Sequence, residues 1–458
     1  MRTCKLVMAT VAALMAFAIA QAAAQQPVKI TIFVGLGTGT SPTQVTAQRA
    51  LEQKFNSQHT DIQIEFLIVP HAEAGQRLIT MITGGNAPQL VGPIGTSTIA
   101  DYLDAWTDIT PFIEAENFDT SDFYGPTLEI NSFGEKNVGL PLGLYPSFII
   151  YNADLFDAAG LDYPPASYED MSWDINALTE TAKLLTLDAN GNDATSPDFD
   201  PENVVQWGFD DSWIGTLGRM VFWGPENGGR VTTPDFRTAV VNSPEWQQGL
   251  QWYADAIWKH HFYPGRPTDI AIYESAGFGS PLDSGMVAMV HTHTWYLGEL
   301  RDVLPELGFR VGIAAVPLNQ KGQRIARVHA DSFVIPEAAA NKQEAWYVMK
   351  WLSSAENIEE VCLIYGCIPA RASVAESYQA RLREAFPMID FDPIFEGIQY
   401  LDNPHHETWV PDRPRVNEVL DRISEQVQQG NLDVIGILEA ANAEVQQILD
   451  AYWARQGG

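Results

Sequence analysis

Several short constellations in this sequence have residue types suited to chemistry. His291-Thr292-His293 places two imidazoles two positions apart. On an extended strand both fall on one face, a spacing that suits a metal pair. No third ligand motif lies near, so ordinary strand histidines are the competing reading, and no metal site is assigned. Asp188-x-Asn190-x-Asn192 has the spacing that opens a calcium loop. Its sixth position is Asp193 where glycine is required, and its twelfth is Phe199, which cannot ligate. A calcium loop of another geometry over 188–199 and a plain solvated loop both stay open. Cys362 and Cys367 flank Leu-Ile-Tyr-Gly, which reads as a helix end, a turn and a strand. That geometry suits a disulfide in an oxidising compartment, with two buried free thiols as the alternative. Gly35-x-Gly37 is too short for a dinucleotide fingerprint, and no phosphate loop or Gly-x-Ser-x-Gly is present. With 58 acidic residues, a carboxylate pair of the kind a glycoside hydrolase needs is not excluded.

The composition sets the compartment and the partners. Arg2 and Lys5 precede an uncharged apolar run, Leu6 to Ala20, and Ala22-Ala23-Ala24 follows. This is the pattern of an export signal over residues 1–24, with a retained membrane anchor as the alternative. Cys4 precedes the run, so it does not occupy the lipidation position. The formal net charge is −31, and removing the two basic residues of the leader (−31 − 2) brings it near −33. Such a surface repels nucleic acid. The expected protein is a soluble, monomeric, periplasmic one without a cofactor, long enough for two lobes.

The elements that must position any site are readable in order. VKITIFV (28–34) and IQIEFLIVP read as strands. Between them VTAQRALEQKFNSQ has helical spacing, with Ala47, Ala50, Leu51 and Phe55 on one face. AEAGQRLITMITGG reads as a helix stopped by paired glycines, and Leu90-Val91 opens a third strand. This β-α-β-α-β order predicts an α/β fold with a mostly parallel sheet. Residues 186–202 form a polar loop, and aromatics crowd 203–300. A strand is expected over 309–318, a turn at NQKGQ, a strand in HADSFVIP and a helix in NKQEAWYVMKWLSS. Amphipathic helices close the chain, with Val427, Val434, Leu438, Val445 and Leu449 toward the core.

Four segments together resemble family 1 of the extracellular solute-binding proteins, the group that contains maltose-binding protein. They are GGNAPQL (84–90), GLPLGLYPSFIIYNADLFDAAGLDYPP (139–165), GMVAMVHTHTW (285–295), and the run from VPLNQKG through DSFVIPEAAANKQEAWYVMKWLSS to IPARAS. Their order and spacing carry the resemblance over nearly the whole chain. There are departures: Gln89 stands where the family has Asp, Ala153 replaces Lys, and His293 stands where Gly is frequent.

The resemblance implies a type II-like periplasmic-binding-protein fold, two α/β lobes joined by a multi-segment hinge around a ligand cleft. Residues 25–145 and 329–387 would build the N-terminal lobe. Residues 146–328 and 388–458 would build the other, the last segment helical. Crossings are expected near Leu144 to Phe148, Ala326 to Ala330 and Phe386 to Phe391. The implied function is capture of a sugar by hinge closure and delivery to the permease subunits of an ABC transporter. Polyol or glycerol phosphate receptors of the same fold, a sensor-coupled receptor and a secreted glycoside hydrolase are the alternatives. Trp295, at the end of the Ala-Met strand, is the first ligand candidate, against a role as a core Trp. Tyr145 serves ligand contact or hinge packing. Trp213 and Trp223 are further candidates, with core packing the competing fate. Gly37, Thr38, Thr96 and Ser97 follow strands, where ligands of open α/β sheets sit. Asp331 would accept from sugar hydroxyls or form a hinge ion pair, and Arg371 would reach the cleft or lie on the surface.

Overall fold

The computed structural model describes residues 26–124, 127–128, 131–133, 136–223, 230–275, 281–402 and 409–456. The leader over 1–24 lies outside the described residues. Strands β1 (Val28–Val34), β2 (Ile62–Ile68) and β3 (Leu90–Gly95) form the start of the sheet. β1 pairs parallel with β2 and with β3. The connecting helices are Pro42–Gln58 and His71–Thr83. The first begins with Ser41 and Gln44 in a reciprocal cap and Pro42 in its first turn. Gly84 ends the second, and Gly85 follows at φ +74°, a conformation that favours glycine. The buried stripe of helix Pro42–Gln58 is not the expected one. Ala50 is exposed and Ala47 half-buried, while Gln44 and Gln48 join Leu51 and Phe55 inside. The helix start faces other backbone rather than oil, and amides satisfy that backbone where alanine would not.

The parallel arrangement holds only in this first part. Strands β4 (Ser132–Phe133) and β5 (Lys136–Asn137) form a small hairpin of their own. Strand β6 (Gly139–Asn152) then traverses the molecule, and every one of its residues is buried. Its first half, through Pro146, pairs antiparallel with β11 (Val328–Val334), which also pairs antiparallel with β3. At Gly143 and Leu144 it also pairs with β12 (Ile368–Pro369). From Ser147 onward its partner is β9 (Val287–His293), and from Ile149 also β10 (Val311–Ala314). β8 (Val204–Asp210) lies parallel to β9, with β7 (Leu187–Asp188) at the edge. A strand that leaves the first half and one that returns to it run in opposite directions, so their pairing is antiparallel. That corrects the expectation of a mostly parallel sheet. The strand expected over 309–318 pairs regularly only at Val311–Ala314, then feeds the Asn319–Gln323 turn.

Two main hydrophobic cores pack against the sheet, and the first draws on both of its halves, with Trp207 and Val287 in the same cluster as Leu51 and Phe55. Ile30, Leu51, Phe55, Trp346 and Met349 belong to one. Phe209, Trp246, Leu250, Leu438 and Val445 belong to the other. The closing helices, Arg413–Gln428 and Val434–Arg455, bury Val427, Val434, Leu438, Val445 and Leu449 as expected from their spacing. Among the described residues no helix is long and apolar enough to cross a membrane.

Candidate ligand-binding cleft

The two halves of the sheet meet where β6 changes partners, and polar side chains converge there. Successive residues of a strand point to opposite faces. On β11 this puts His329 and Asp331 on one face, with Arg327 just before the strand, and on β9 it puts His291 and His293 together. The rings of His291 and His293 are near-parallel with centroids 6.3 Å apart. His293 stacks on His329 at 4.0 Å and lies 6.1 Å from Trp295. Ser147 of β6 pairs with His293 and receives the Arg327 amide on its hydroxyl, and its small side chain sits between the two histidine strands. The two-histidine motif thus becomes three stacked imidazoles ending at a half-buried tryptophan. Among the described residues no group of three or more metal-ligating side chains could hold an ion.

The other wall comes from the carboxyl ends of β1 and β3. The Tyr145 hydroxyl donates to Asp331 Oδ2 at 3.3 Å. Burial first, then the Asp331 charge, push that phenol well above its ordinary range. A Cβ on Gly37 would lie 3.1 Å from the same carboxylate and one on Gly95 3.5 Å from it, so both backbones crowd Asp331. Thr38 donates through Oγ1 to the Tyr365 carbonyl at 3.2 Å, and Thr96 to the Ala330 carbonyl at 3.2 Å. Ser97 lies in helix Thr96–Asp101. The structure therefore brings together Tyr145, Asp331, Gly37 and Thr38, with Thr96 at the adjoining end of β3. Gln89, despite replacing Asp, still fixes its loop: its Oε1 accepts from the Thr31 amide at 2.9 Å.

Trp223 and Arg371 fall elsewhere. Trp223 is buried in the second core, 5.3 Å from Trp252. Trp213 sits in the turn Ser212–Ile214, between Asp211 and Arg219. That turn is held by Arg219, which grips Asp211 through Nε at 2.9 Å and lies 3.7 Å from the Tyr253 ring centre. Arg371 reaches neither Asp331 nor Tyr145. It is buried, with Nε on the Ser353 carbonyl and Nη1 on Asp122 at 3.1 Å, because a loop of the first half closes around it. The Asp188 loop satisfies itself. Asp188 accepts from the amides of Asn190, Asn192 and Asp200 and from the Asn192 side chain. Burial alone would raise its pKa, but these donors bring it down to about 2. Cys362 and Cys367 are bonded, with Cα atoms 4.7 Å apart.

Sequence reasoning missed His329, Tyr365 and Gln44. His329 stands two residues before Asp331, so strand alternation alone places the two on one face. Tyr365 and Gln44 gave no signal, because their importance lies in contacts between distant segments. Several polar atoms here are fully buried without a hydrogen-bond partner among the described residues: both ring nitrogens of His291, the Thr294 hydroxyl and the Tyr365 hydroxyl. Burial first, then the charges of Arg327 and Arg219, lower the His291 pKa to about 3, so the ring is neutral.

A family model described as bacterial extracellular solute-binding protein matches residues 50–386. The chain belongs to that family. A putative binding protein of Brucella abortus is similar to this solute-binding protein at 24% identity over 309 residues, 66% of this chain and 67% of that one. Solved structures share its fold. An ABC substrate-binding protein from Listeria monocytogenes in complex with cycloalternan superimposes with a TM-score of 0.74 at 21% identity, over 93% of this chain and all of that one. An ABC transporter solute-binding protein from Thermotoga lettingae bound with α-D-tagatose gives 0.70 at 20% identity, over 93% and 100%. A maltose-bound protein of T. maritima gives 0.69 at 19% identity, over 92% and 100%. The two-lobed fold of the solute-binding proteins, with a cleft between lobes, is therefore the architecture of this chain, and its family is one of binding proteins.

Proposed function

We propose that this solute-binding protein captures a neutral sugar between its lobes and presents it to the permease subunits of an ABC importer. The carrying observation is the set of buried polar atoms without a hydrogen-bond partner among the described residues on His291, Thr294 and Tyr365, with Trp295 following Thr294 directly in the chain and Thr38 fastened to the Tyr365 carbonyl. A buried polar group left unpaired costs about 1–3 kcal/mol, so such a set asks for a polar guest. A sugar has hydroxyls for those atoms and for Asp331, and an apolar face for the Trp295 ring. Relatives of the same fold bound to cycloalternan, tagatose and maltose support the reading. The lobes are assigned to residues 25–145 with 329–387, and to 146–328 with 388–458. The change of partner along β6 between Pro146 and Ser147 supports this division. Capture is by closure of the hinge on a guest that touches both lobes, with no chemical change to it and no cofactor. The mature chain works as a monomer in the periplasm after loss of residues 1–24.

The test is a thermal-shift screen of the mature protein against sugars, polyols and sugar phosphates, with hits measured by calorimetry. A neutral sugar that raises Tm, and whose effect is lost in Trp295→Ala, supports the reading. A shift with glycerol phosphate alone would reassign the cargo.

A further inference from the structure

The disulfide occupies a place that local stability does not explain. It joins residues five apart. In the chain-entropy account a short loop constrains the unfolded chain least, so the bridge adds less to global stability than a long-range one would. Its loop holds Tyr365 and Gly366, and Gly366 meets the Thr294–Gly298 segment, which the proposed division of the chain gives to the other lobe. Gly366 sits at φ +79° at the end of helix Ile358–Tyr365, its amide on the Cys362 carbonyl at 2.7 Å. A Cβ there would lie 2.6 Å from the Thr294 carbonyl and 3.2 Å from the Trp295 carbonyl. No side chain fits between this turn and the segment that carries the Trp295 ring. Two side chains of the first lobe fasten the same turn: Gln44 Nε2 donates to the Ile364 carbonyl at 3.0 Å, and Thr38 Oγ1 donates to the Tyr365 carbonyl. Gly298, one turn into helix Tyr296–Val303, would place a Cβ 2.5 Å from that same Gln44 nitrogen. The cystine itself is buried against β6: Cys362 Sγ lies 3.7 Å from the Leu142 carbonyl, and Gly143 admits Cys367 only because it lacks a side chain.

We propose that the Cys362–Cys367 bridge is a positioning device for ligand capture: it holds the Tyr365–Gly366 turn in the one shape against which the Thr294–Gly298 segment can close. This rests on the capture reading above. The bridge pins the turn to β6 from behind, and the turn meets the opposite lobe in front. Without it the turn keeps its helix but loses its fixed outline, and the closed state, which the guest needs, becomes less populated. The apparent affinity then falls by the lost fraction of closure-competent molecules.

The experiment uses the full mature chain and Cys362→Ser/Cys367→Ser. Amide hydrogen exchange is read at 364–368 without ligand, and Kd for each sugar that binds the wild type is read by calorimetry. The proposal expects faster exchange confined to that turn, nearly unchanged exchange elsewhere, and a Kd weakened by about tenfold or more. Unchanged exchange at the turn overturns it whether or not any sugar binds. Faster exchange with an unchanged Kd also overturns it. If the wild type binds no sugar in the panel, the capture reading fails, and exchange still decides what the bridge does to the turn. Cys362→Ala/Cys367→Ala, which leaves no polar atom in the apolar site, replaces the serine pair if that pair does not fold. Failure of both to fold would make the bridge a requirement of the whole fold and contradict the proposal.

Discussion

His291 shows how one side chain links burial to pH. Its folded pKa of about 3 lies below the ordinary histidine value of 6.5, so between these the unfolded chain binds a proton that the folded chain refuses. The stability this neutral ring permits is full above pH 6.5 and is lost as the pH falls toward 3. His291→Gln should flatten the fall in stability over that window by about one proton, read from urea midpoints at several pH values. Asp211 is a second case. Its ion pair with Arg219 is fully buried, with Nη2 to Oδ1 at 2.6 Å. Asp211→Ala strands the guanidinium and should cost about 3–5 kcal/mol in chemical denaturation. At this scale the sequence was partly legible. Trp295, Tyr145 and Asp331 were nameable because each stands at a strand end or crossing that the motifs mark. Arg371 was not separable from a cleft residue, because its partner Asp122 is 249 positions away. Trp223 and Trp295 look alike in sequence, and only the fold shows one facing Trp252 and the other beside His293.

At the scale of elements, spacing located most helices and strands and said less about their faces. Helix Pro42–Gln58 shows why. Its apolar spacing pointed to Ala50, yet the inward stripe includes Gln44, whose Oε1 accepts from the Gly39 amide at 2.9 Å while Nε2 bonds Ile364. Gln44→Ala should therefore cost about 1–2 kcal/mol of stability, through the lost cap and two unpaired backbone groups. It should also weaken ligand binding, because the same amide faces Gly298. Equilibrium unfolding and calorimetry on one preparation would separate the two effects. The sheet direction was misjudged for a different reason. The first three strands announce a parallel order through their intervening helices, but β6 and β11 pair across 180 or so residues, and no local pattern records the direction of a returning strand.

For the molecule as a whole, the resemblance in four separated segments carried the fold further than composition or periodicity did. Length suited two lobes, but which stretches returned to which lobe came from the family pattern alone. In the structure Gly298 meets Gln44 and Gly366 meets the Thr294 carbonyl, which the proposed division of the chain makes a contact between lobes. Closure of this kind depends on a guest that favours one state over the other, not on affinity alone. Bulky substitution at that contact, Gly298→Leu, should hold the lobes apart. It should weaken ligand binding, and small-angle scattering should report a larger radius of gyration with ligand present than the wild type shows. Whether the cleft takes a neutral sugar is decided by calorimetric titration of the mature protein with mono- and oligosaccharides. The expected result is saturable one-to-one binding of a sugar class, abolished or weakened at least about tenfold by Trp295→Ala and by Asp331→Asn. Binding of a sugar that is indifferent to both substitutions, or no sugar binding where an anionic or amino-acid ligand binds tightly, would contradict it.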